Sequence, residues 1–206
     1  YEGGEKLGLG SSAASCVALA AAAMVDSGEE LEDEEVRDRI FGVAEAAHRD
    51  FQGGRGSGGG IVASTYGGIG GLRRRAPTAM FADQRIEVGD GDIEGSRELD
   101  GFELAASSLP SAVEIRPVWL GAKASTTSFL GRLERKLRLK PAEIYQRLRE
   151  TAEVARDAIA ACRGDDAEAF LEAASGGESA MEALGETLEV PIVTEAHYRL
   201  REAVEG

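Results

Sequence analysis

A glycine- and serine-rich loop runs directly into an alanine-rich helix near the start of this chain, over Lys6-Leu7-Gly8-Leu9-Gly10-Ser11-Ser12-Ala13-Ala14-Ser15. Glycine allows backbone conformations and close approaches that a Cβ would block. The first N–H groups of a helix have no intrahelical acceptor, and the helix dipole adds positive potential there, so the junction favours a bound anion. The loop therefore predicts a phosphate site. Its plainer interpretation is a glycine turn that caps a buried helix from about Ser12 to Val25.

The same string closely resembles the second signature motif of the GHMP kinase superfamily, G-L-G-S-S-A-A, which binds the phosphates of ATP. The resemblance implies that Ser12 ligates Mg²⁺ and that the ATP phosphates contact Gly8, Leu9, Gly10, Ser11, Ser12 and Ala13. It also implies an α+β, GHMP kinase-like two-domain fold. We expect an incomplete nucleotide-binding domain at 1–75 and an incomplete domain of helices packed on an antiparallel sheet at 76–206.

Two segments of that family have no counterpart in the sequence. The family places strands with a substrate motif before the phosphate loop, and a second glycine-rich loop near its C-terminus. We find neither in these 206 residues. We therefore expect either a fragment or a sequence from which parts of a longer polypeptide are omitted.

A second informative segment follows, with the sequence Gln52-Gly53-Gly54-Arg55-Gly56-Ser57-Gly58-Gly59-Gly60-Ile61-Val62-Ala63-Ser64-Thr65-Tyr66-Gly67-Gly68. It predicts a loop, a short helix from about Ile61 to Tyr66 and a turn into a strand. It resembles the G-S-G-x-D-x-A-A-S-x-x-G-G segment of phosphomevalonate kinases and their relatives, which implies acceptor contacts by Ser57 and Gly58. The resemblance fails at the catalytic aspartate, because Gly60 occupies that position.

Glycine at position 60 can neither accept a proton nor steer an anion. Three explanations stay open: a loss of catalysis, an altered residue, or chemistry that relies mainly on positioning. Asp83 is a candidate substitute, although no spacing places it in the site. The catalytic residue is therefore left unassigned.

A third segment combines a lysine with hydroxyl side chains, in Gly121-Ala122-Lys123-Ala124-Ser125-Thr126-Thr127-Ser128. A strand predicted from Ala112 to Leu120 leads into it, and the junction resembles the W-x-G-x-x-A-S-T segment of phosphomevalonate kinases. The resemblance implies that Lys123, Ser125 and Thr126 hold a phosphorylated acceptor, which suits their chemistry. The alternative is a simple cap for a helix that begins near Ser128.

Other basic side chains are weaker candidates. Arg74, within Arg73-Arg74-Arg75, could bind an anionic acceptor through bidentate contacts, or these arginines could be the solvated end of a strand. His48 and His197 could touch a ligand, but a position near a helix end or on a helix surface is their ordinary explanation.

The rest of the pattern is helical. We predict a helix over 34–50 and another over 142–162, with Pro141 in its first turn. A further helix over 166–184 is expected to break or bend at 175–177, and Thr194 is expected to cap a last helix. Alternation around Ile86 and Val88 predicts a strand.

Composition limits the partners. A formal net charge of −14 argues against nucleic acid and anionic membrane surfaces. No apolar run reaches the roughly 18 residues of a membrane span. Cys16 and Cys162 lack metal-ligand spacing, which indicates small buried side chains in a reducing compartment. We expect a cytoplasmic monomer or homodimer that binds a small phosphorylated acceptor.

The resemblance implies an ATP- and Mg²⁺-dependent kinase that phosphorylates 5-phosphomevalonate in the mevalonate route to isoprenoids. A mevalonate kinase or another GHMP kinase is the nearest alternative. A non-catalytic nucleotide-binding homologue is a second alternative, because of Gly60. A structural fragment whose glycine loops hold no ligand is a third.

Overall fold

The computed structural model describes residues 10–54, 56–74, 93, 95–120 and 126–205. Within them the chain forms seven helices and three strands. The helices are α1 (Ser11–Asp26), α2 (Glu34–Phe51), α3 (Gly59–Tyr66), α4 (Thr126–Leu139), α5 (Pro141–Gly164), α6 (Ala167–Leu188) and α7 (Glu195–Glu205). The strands are β1 (Ile69–Arg74), β2 (Arg97–Leu99) and β3 (Phe102–Ser107). The mixed α+β class is thereby confirmed.

Two compact units divide the described residues, one from 10 to 108 and the other from 109 to 205. The first holds α1 to α3 and the sheet, and the second holds α4 to α7. The first unit thus includes residues on both sides of position 75. The division into domains at 1–75 and 76–206 stays a prediction, as does the lack of N-terminal strands and of a C-terminal glycine loop.

The core of the first unit joins the helices to one face of the sheet. Ala13, Val17 and Ala20 recur at helical spacing and bury one side of α1. Asp33 caps α2 by accepting a hydrogen bond from the backbone N–H of Glu35, at 2.9 Å. Further inward, a mostly aliphatic and aromatic set is buried: Val36, Ile40, Phe41, Ala44, Ile61, Phe102 and Leu104.

An antiparallel sheet in the order β1-β3-β2 covers this core. Leu72 pairs with Leu104 across β1 and β3. Asp100 and Gly101, with φ of 50° and 78°, form the two-residue turn between β2 and β3. Positive φ at both positions matches the right-handed twist of a hairpin, and Asp-Gly is a preferred sequence for such turns. Phe102, the first residue of β3, is thereby directed into the core, where its ring meets that of Phe41 edge-on at 5.4 Å between centroids.

A buried carboxylate lies within the sheet. Glu103 is 1% exposed and accepts hydrogen bonds from the Ser96 hydroxyl, at 2.8 Å, and from the backbone N–H of Ile93. Arg73 Nη2 lies 2.6 Å from Glu103 Oε2. Burial raises the pKa of Glu103, but the two hydrogen bonds and the charge of Arg73 together hold it below its ordinary value.

The described residues of the second unit form the helices α4 to α7, which follow an irregular segment at 109–120. Pro141 lies in the first turn of α5, as predicted, and Asp166 caps α6 by accepting from the backbone N–H of Ala169, at 3.0 Å. Ile144 and Leu188 are fully buried among these helices. Strands β2 and β3 fall within the range 76–206, for which an antiparallel sheet was predicted, but they pair with β1 and lie in the first unit.

Two detailed predictions fail in the second unit. The strand predicted over 112–120 is an irregular segment whose Ile115 and Val118 side chains are each 56% exposed, because it has no partner strand among the described residues. The break predicted at 175–177 is absent, and α6 continues through it. Gly176 and Gly177 face Val154 of α5, so helix packing outweighs a glycine cost of about 1 kcal/mol each. The strand predicted around Ile86 lies outside the described residues.

Candidate functional site

The N-terminus of α1 has the geometry expected of an anion site. Gly10 precedes the helix in the left-handed conformation, with φ of 76°. The first backbone hydrogen bond of the helix runs from the N–H of Ala14 to the carbonyl of Gly10, at 3.0 Å. No side chain among the described residues caps this end. The N–H groups of Ser11, Ser12 and Ala13 therefore precede the hydrogen-bonded ladder and can serve a phosphate.

Glycine is required at position 10 for its conformation. A Cβ at Gly10 would meet nothing within 4 Å, so space does not exclude a side chain. The left-handed backbone conformation disfavours other residues, because it strains any residue that carries a Cβ. Gly8 and Leu9, the other residues predicted to contact the ATP phosphates, lie outside the described residues.

The Ser12 hydroxyl contacts the last turn of α2. Ser12 Oγ lies 3.2 Å from His48 Nε2, and the side-chain amide nitrogen of Gln52 lies 3.1 Å from the same imidazole nitrogen. Ser12 and His48 are both half-buried. The residue predicted to ligate Mg²⁺ is therefore linked to a histidine that the sequence placed only near a helix end. The four-residue spacing of His48 and Gln52 was the available signal, since it puts both on one helix face.

The loop before α3 packs tightly beside this turn. Gly58 caps α3 in the left-handed conformation, with φ of 82°, and a Cβ there would lie 2.7 Å from the Phe102 ring. A Cβ at Gly56 would lie 2.7 Å from Gln52 Oε1. The Ser57 hydroxyl accepts a hydrogen bond from the backbone N–H of Gly59, at 3.3 Å. The buried Phe102 ring therefore demands glycine at position 58, whereas a side chain at position 56 would displace only the exposed end of Gln52; the family motif has glycine at both positions.

The first turns of α1 and α3 lie side by side. A Cβ built on Gly60, the second residue of α3, would lie 3.1 Å from the Cβ of Ala13, the third residue of α1. The position at which the family resemblance expects a catalytic aspartate is thus adjacent to the proposed phosphate helix. No carboxylate occupies it, and Asp83, the candidate substitute, lies outside the described residues.

Arg74 is engaged inside the protein. Its Nη1 donates to the carbonyl oxygen of Gly56, at 2.6 Å, and its Nη2 lies 3.3 Å from Glu45 Oε1. The guanidinium also lies over the Phe102 ring, 5.1 Å from the centroid, and the side chain is only 13% exposed. Glu45 further pairs with Arg49, at 3.3 Å. These contacts tie β1 and α2 to the loop before α3, while a direct contact of Arg74 with the acceptor stays a prediction.

The other acceptor residues are not tested. Lys123 and Ser125 lie outside the described residues, and so does Arg75. Thr126 is the first residue of α4, in the second unit. Ser57 and Gly58 lie in the described loop of the first unit, and their contact with an acceptor stays a prediction.

The first unit also contains an ion-pair cluster that no sequence motif indicated. Both terminal nitrogens of Arg97 donate to Asp38, at 2.5 and 2.7 Å, and the Tyr66 hydroxyl donates to the same carboxylate at 2.7 Å. The hydrogen bonds from Arg97 hold the pKa of Asp38 below its ordinary value, and burial raises the pKa of Tyr66. The cluster joins α2, α3 and β2. Because these residues are far apart in sequence, no local pattern could reveal it.

The described residues hold no group of three or more His, Cys, Asp or Glu side chains arranged for a metal ion. Mg²⁺ at a phosphate site usually takes one or two protein oxygens, with substrate phosphates and water completing its ligands. The Ser12 hydroxyl at the first turn of α1 is compatible with that need. In the same part of the chain, no helix is long and apolar enough to cross a bilayer.

Comparisons with known proteins agree with the sequence motifs. A family model described as the GHMP kinases N terminal domain matches residues 4–68. A phosphomevalonate kinase from Streptomyces sp. (strain CL190) is 32% identical over 169 residues, which are 81% of this chain and 43% of that protein. The crystal structure of a Lin0012 protein from Listeria innocua matches with a TM-score of 0.72 and 22% identity, over 100% of this chain and 56% of that one. The likeness to the Listeria innocua protein concerns the fold alone. This chain spans about half the length of the two relatives.

Proposed function

On the premise that this chain belongs to the GHMP kinase superfamily and is similar to phosphomevalonate kinase, we propose that it transfers the γ-phosphoryl group of ATP to the phosphate of 5-phosphomevalonate. The observation that carries the proposal is the approach of the first turn of α1 to the first turn of α3, at Ala13 and Gly60. In the proposed function, this approach sets the predicted phosphate loop beside the loop that the family resemblance assigns to the acceptor.

In this function the N–H groups at the start of α1, together with Ser11 and the residues Gly8, Leu9, Gly10 and Ala13, hold the phosphates of ATP. The Ser12 hydroxyl offers an oxygen to Mg²⁺. When bound, Mg²⁺ neutralises charge that develops on the phosphates. Ser57, Gly58, Lys123, Ser125 and Thr126 hold the acceptor, with Arg74 as a further candidate.

The reaction joins an oxygen of the acceptor phosphate to the γ-phosphorus of ATP, while the bond from that phosphorus to the β-phosphate oxygen breaks and ADP leaves. A phosphate monoester has a second pKa of about 6, so most of it carries no proton to remove at pH 7. An alcohol acceptor must lose its proton during transfer. Glycine at position 60 is therefore less damaging with a phosphate acceptor than with an alcohol, which favours 5-phosphomevalonate over mevalonate.

Gly60 also supports a second candidate, a nucleotide-binding protein without kinase activity. Such a protein binds Mg-ATP through α1 but releases no ADP when an acceptor is added. The kinase proposal attributes catalysis to alignment and charge neutralisation instead, which are the main contributions in phosphoryl transfer.

The experiment measures ADP release from Mg-ATP by the purified protein, with 5-phosphomevalonate, mevalonate, homoserine and galactose offered separately. Release with 5-phosphomevalonate alone is the expected result. Release with another acceptor would reassign the substrate within the superfamily. Binding of Mg-ATP without release from any acceptor would favour the nucleotide-binding protein.

A further inference from the structure

The contact between Ser12 and His48 links the first turn of α1 to the last turn of α2. It is a contact between side chains 36 residues apart, so it depends on tertiary packing of the two helices. Ser12 Oγ is the hydroxyl at the predicted Mg²⁺ position, and it lies 3.2 Å from imidazole Nε2 of His48. Whether imidazole Nε2 accepts or donates a hydrogen bond therefore determines the direction of the Ser12 hydroxyl proton.

Gln52 fixes the role of the imidazole nitrogen. The Gln52 side-chain nitrogen lies 3.1 Å from His48 Nε2, and an amide nitrogen can only donate. With the Gln52 amide in this orientation, His48 Nε2 acts as the acceptor nitrogen of the ring, which assigns the proton to Nδ1. The Ser12 hydroxyl consequently donates to the same nitrogen and shares its single lone pair with the Gln52 amide, which directs the hydroxyl proton toward α2.

Among the described residues, this arrangement leaves the lone pairs of Ser12 Oγ without a donor. A hydroxyl whose proton is engaged presents an oxygen acceptor, which is the kind of ligand that Mg²⁺ prefers. The backbone of the glycine loop passes near these side chains, since a Cβ at Gly56 would lie 3.7 Å from His48 Nδ1 and 2.7 Å from Gln52 Oε1. The glycine loop thus borders the side chains that act on Ser12.

We propose that His48 is a positioning residue for the phosphate site: it accepts the Ser12 hydroxyl proton and so orients the serine oxygen toward the metal that accompanies the nucleotide. The inference rests on the proposed function, because it assumes that α1 binds Mg-ATP. His48 itself touches neither the nucleotide nor the acceptor in this role.

Substitutions at position 48 separate an orienting hydrogen bond from simple packing. The amide end of glutamine reaches about as far as imidazole Nε2, whereas asparagine reaches only as far as Nδ1. We expect His48→Asn and His48→Ala to weaken Mg-ATP binding about fivefold, the effect of one ordinary hydrogen bond. We expect His48→Gln to stay within about twofold of wild type on the same basis.

The affinity for ATP without metal is the discriminating measurement. An orienting role predicts a loss smaller than about twofold for metal-free ATP, because only the metal contact depends on the serine lone pairs. His197→Ala is the matched control, since the other histidine of the chain contacts Thr194 in the second unit. Isothermal titration calorimetry of the whole chain with ATP, with and without Mg²⁺, supplies these affinities.

Nitrogen NMR of the imidazole gives a second, ligand-free test. We expect His48 Nε2 without a proton and Nδ1 with one in the wild-type protein. A proton on Nε2, equal losses with and without Mg²⁺, or equal behaviour of His48→Asn and His48→Gln would each overturn the inference. A wild-type chain that binds no Mg-ATP would instead overturn the proposed function, and this inference with it.

Discussion

Substitution of Gly60 tests whether α1 and α3 meet where the structure places them. A Cβ at position 60 would lie 3.1 Å from the Ala13 Cβ, and no other heavy atom of the described residues outside its own helix turn would lie within 4 Å of it. Two carbon atoms prefer about 3.5–4.0 Å, so one neighbour must move by a few tenths of an ångström. We assign this overpacking the lower end of the usual cost, about 1 kcal/mol, because only one contact is involved and Gly60 is exposed.

Alanine also brings a gain. Replacing glycine within a helix by alanine stabilises it by about 0.5–1 kcal/mol. We therefore expect Gly60→Ala to change the free energy of unfolding by less than about 1 kcal/mol in the wild-type background. When Ala13→Gly removes the opposing methyl group, the same substitution should stabilise the protein by about 0.5–1 kcal/mol.

Urea denaturation of the wild type, the two single variants and the double variant measures this coupling. The expected coupling energy is about 1 kcal/mol, and it is favourable in the double variant. A value below about 0.3 kcal/mol would refute the close approach of the two helices. It would also remove the observation that carries the proposed function.

Gly60→Asp uses the same position to test the chemistry. An aspartate in the first turn of α3 suits the helix dipole, and its Cβ makes the same contact with Ala13 as that of alanine. We expect ADP release with 5-phosphomevalonate to rise by up to about tenfold, below the usual effect of a general base, because that acceptor is already deprotonated. Gly60→Ala is the control and should bring no gain. Equal turnover of the two variants would contradict a position beside the transferred group.

Three further substitutions test separate parts of the protein. Ser12→Ala should weaken Mg-ATP binding by about fivefold in calorimetry, and an unchanged affinity would remove the phosphate-loop assignment. Lys123→Ala should raise KM for the acceptor more than KM for ATP in steady-state kinetics, and the reverse pattern would contradict the acceptor assignment. Asp38→Asn should lower the free energy of unfolding by about 1–2 kcal/mol, since the carboxylate receives hydrogen bonds from Arg97 and Tyr66 and solvent screens the exposed part of that pair. Because the pKa of Asp38 is lowered on folding, its contribution is complete above the unfolded pKa of about 3.9 and is lost as the pH falls through the folded pKa. A difference between wild type and variant that stayed constant in acid would argue against this ion pair.

The helices were largely predictable from sequence. Predicted bounds of about 12–25 for α1 and 34–50 for α2 differ from Ser11–Asp26 and Glu34–Phe51 by one residue at the ends that differ. Both helices carry local signals, namely a glycine before the first, an aspartate cap before the second and apolar spacing within each.

The sheet was harder to predict. Strand β3 contains two alanines and a serine, which carry little strand preference, and its burial comes from pairing with β1. The Asp100-Gly101 pair was the local signal that could have revealed the β2–β3 hairpin. Conversely, the apolar residues of 112–120 suggested a strand, but no pattern within that segment shows whether a neighbouring strand exists.

For the candidate site, the motifs located the two glycine loops but not the side chains that hold them together. Nothing near Arg74 indicates that its guanidinium donates to Gly56, and nothing near Ser12 indicates a contact with His48. These contacts depend on packing between elements that are distant in sequence. The sequence identifies the two loops, whereas the contacts that hold them are seen only in the structure.

The bond from Arg74 to the Gly56 carbonyl has a consequence for how a ligand meets this loop. A glycine-rich segment left unsupported samples many conformations and would lose that freedom when a ligand binds. Here Glu45, Phe102 and the guanidinium hold the segment from within the first unit. At Gly56 the loss of backbone entropy therefore occurs when the protein folds and does not recur when an anion binds.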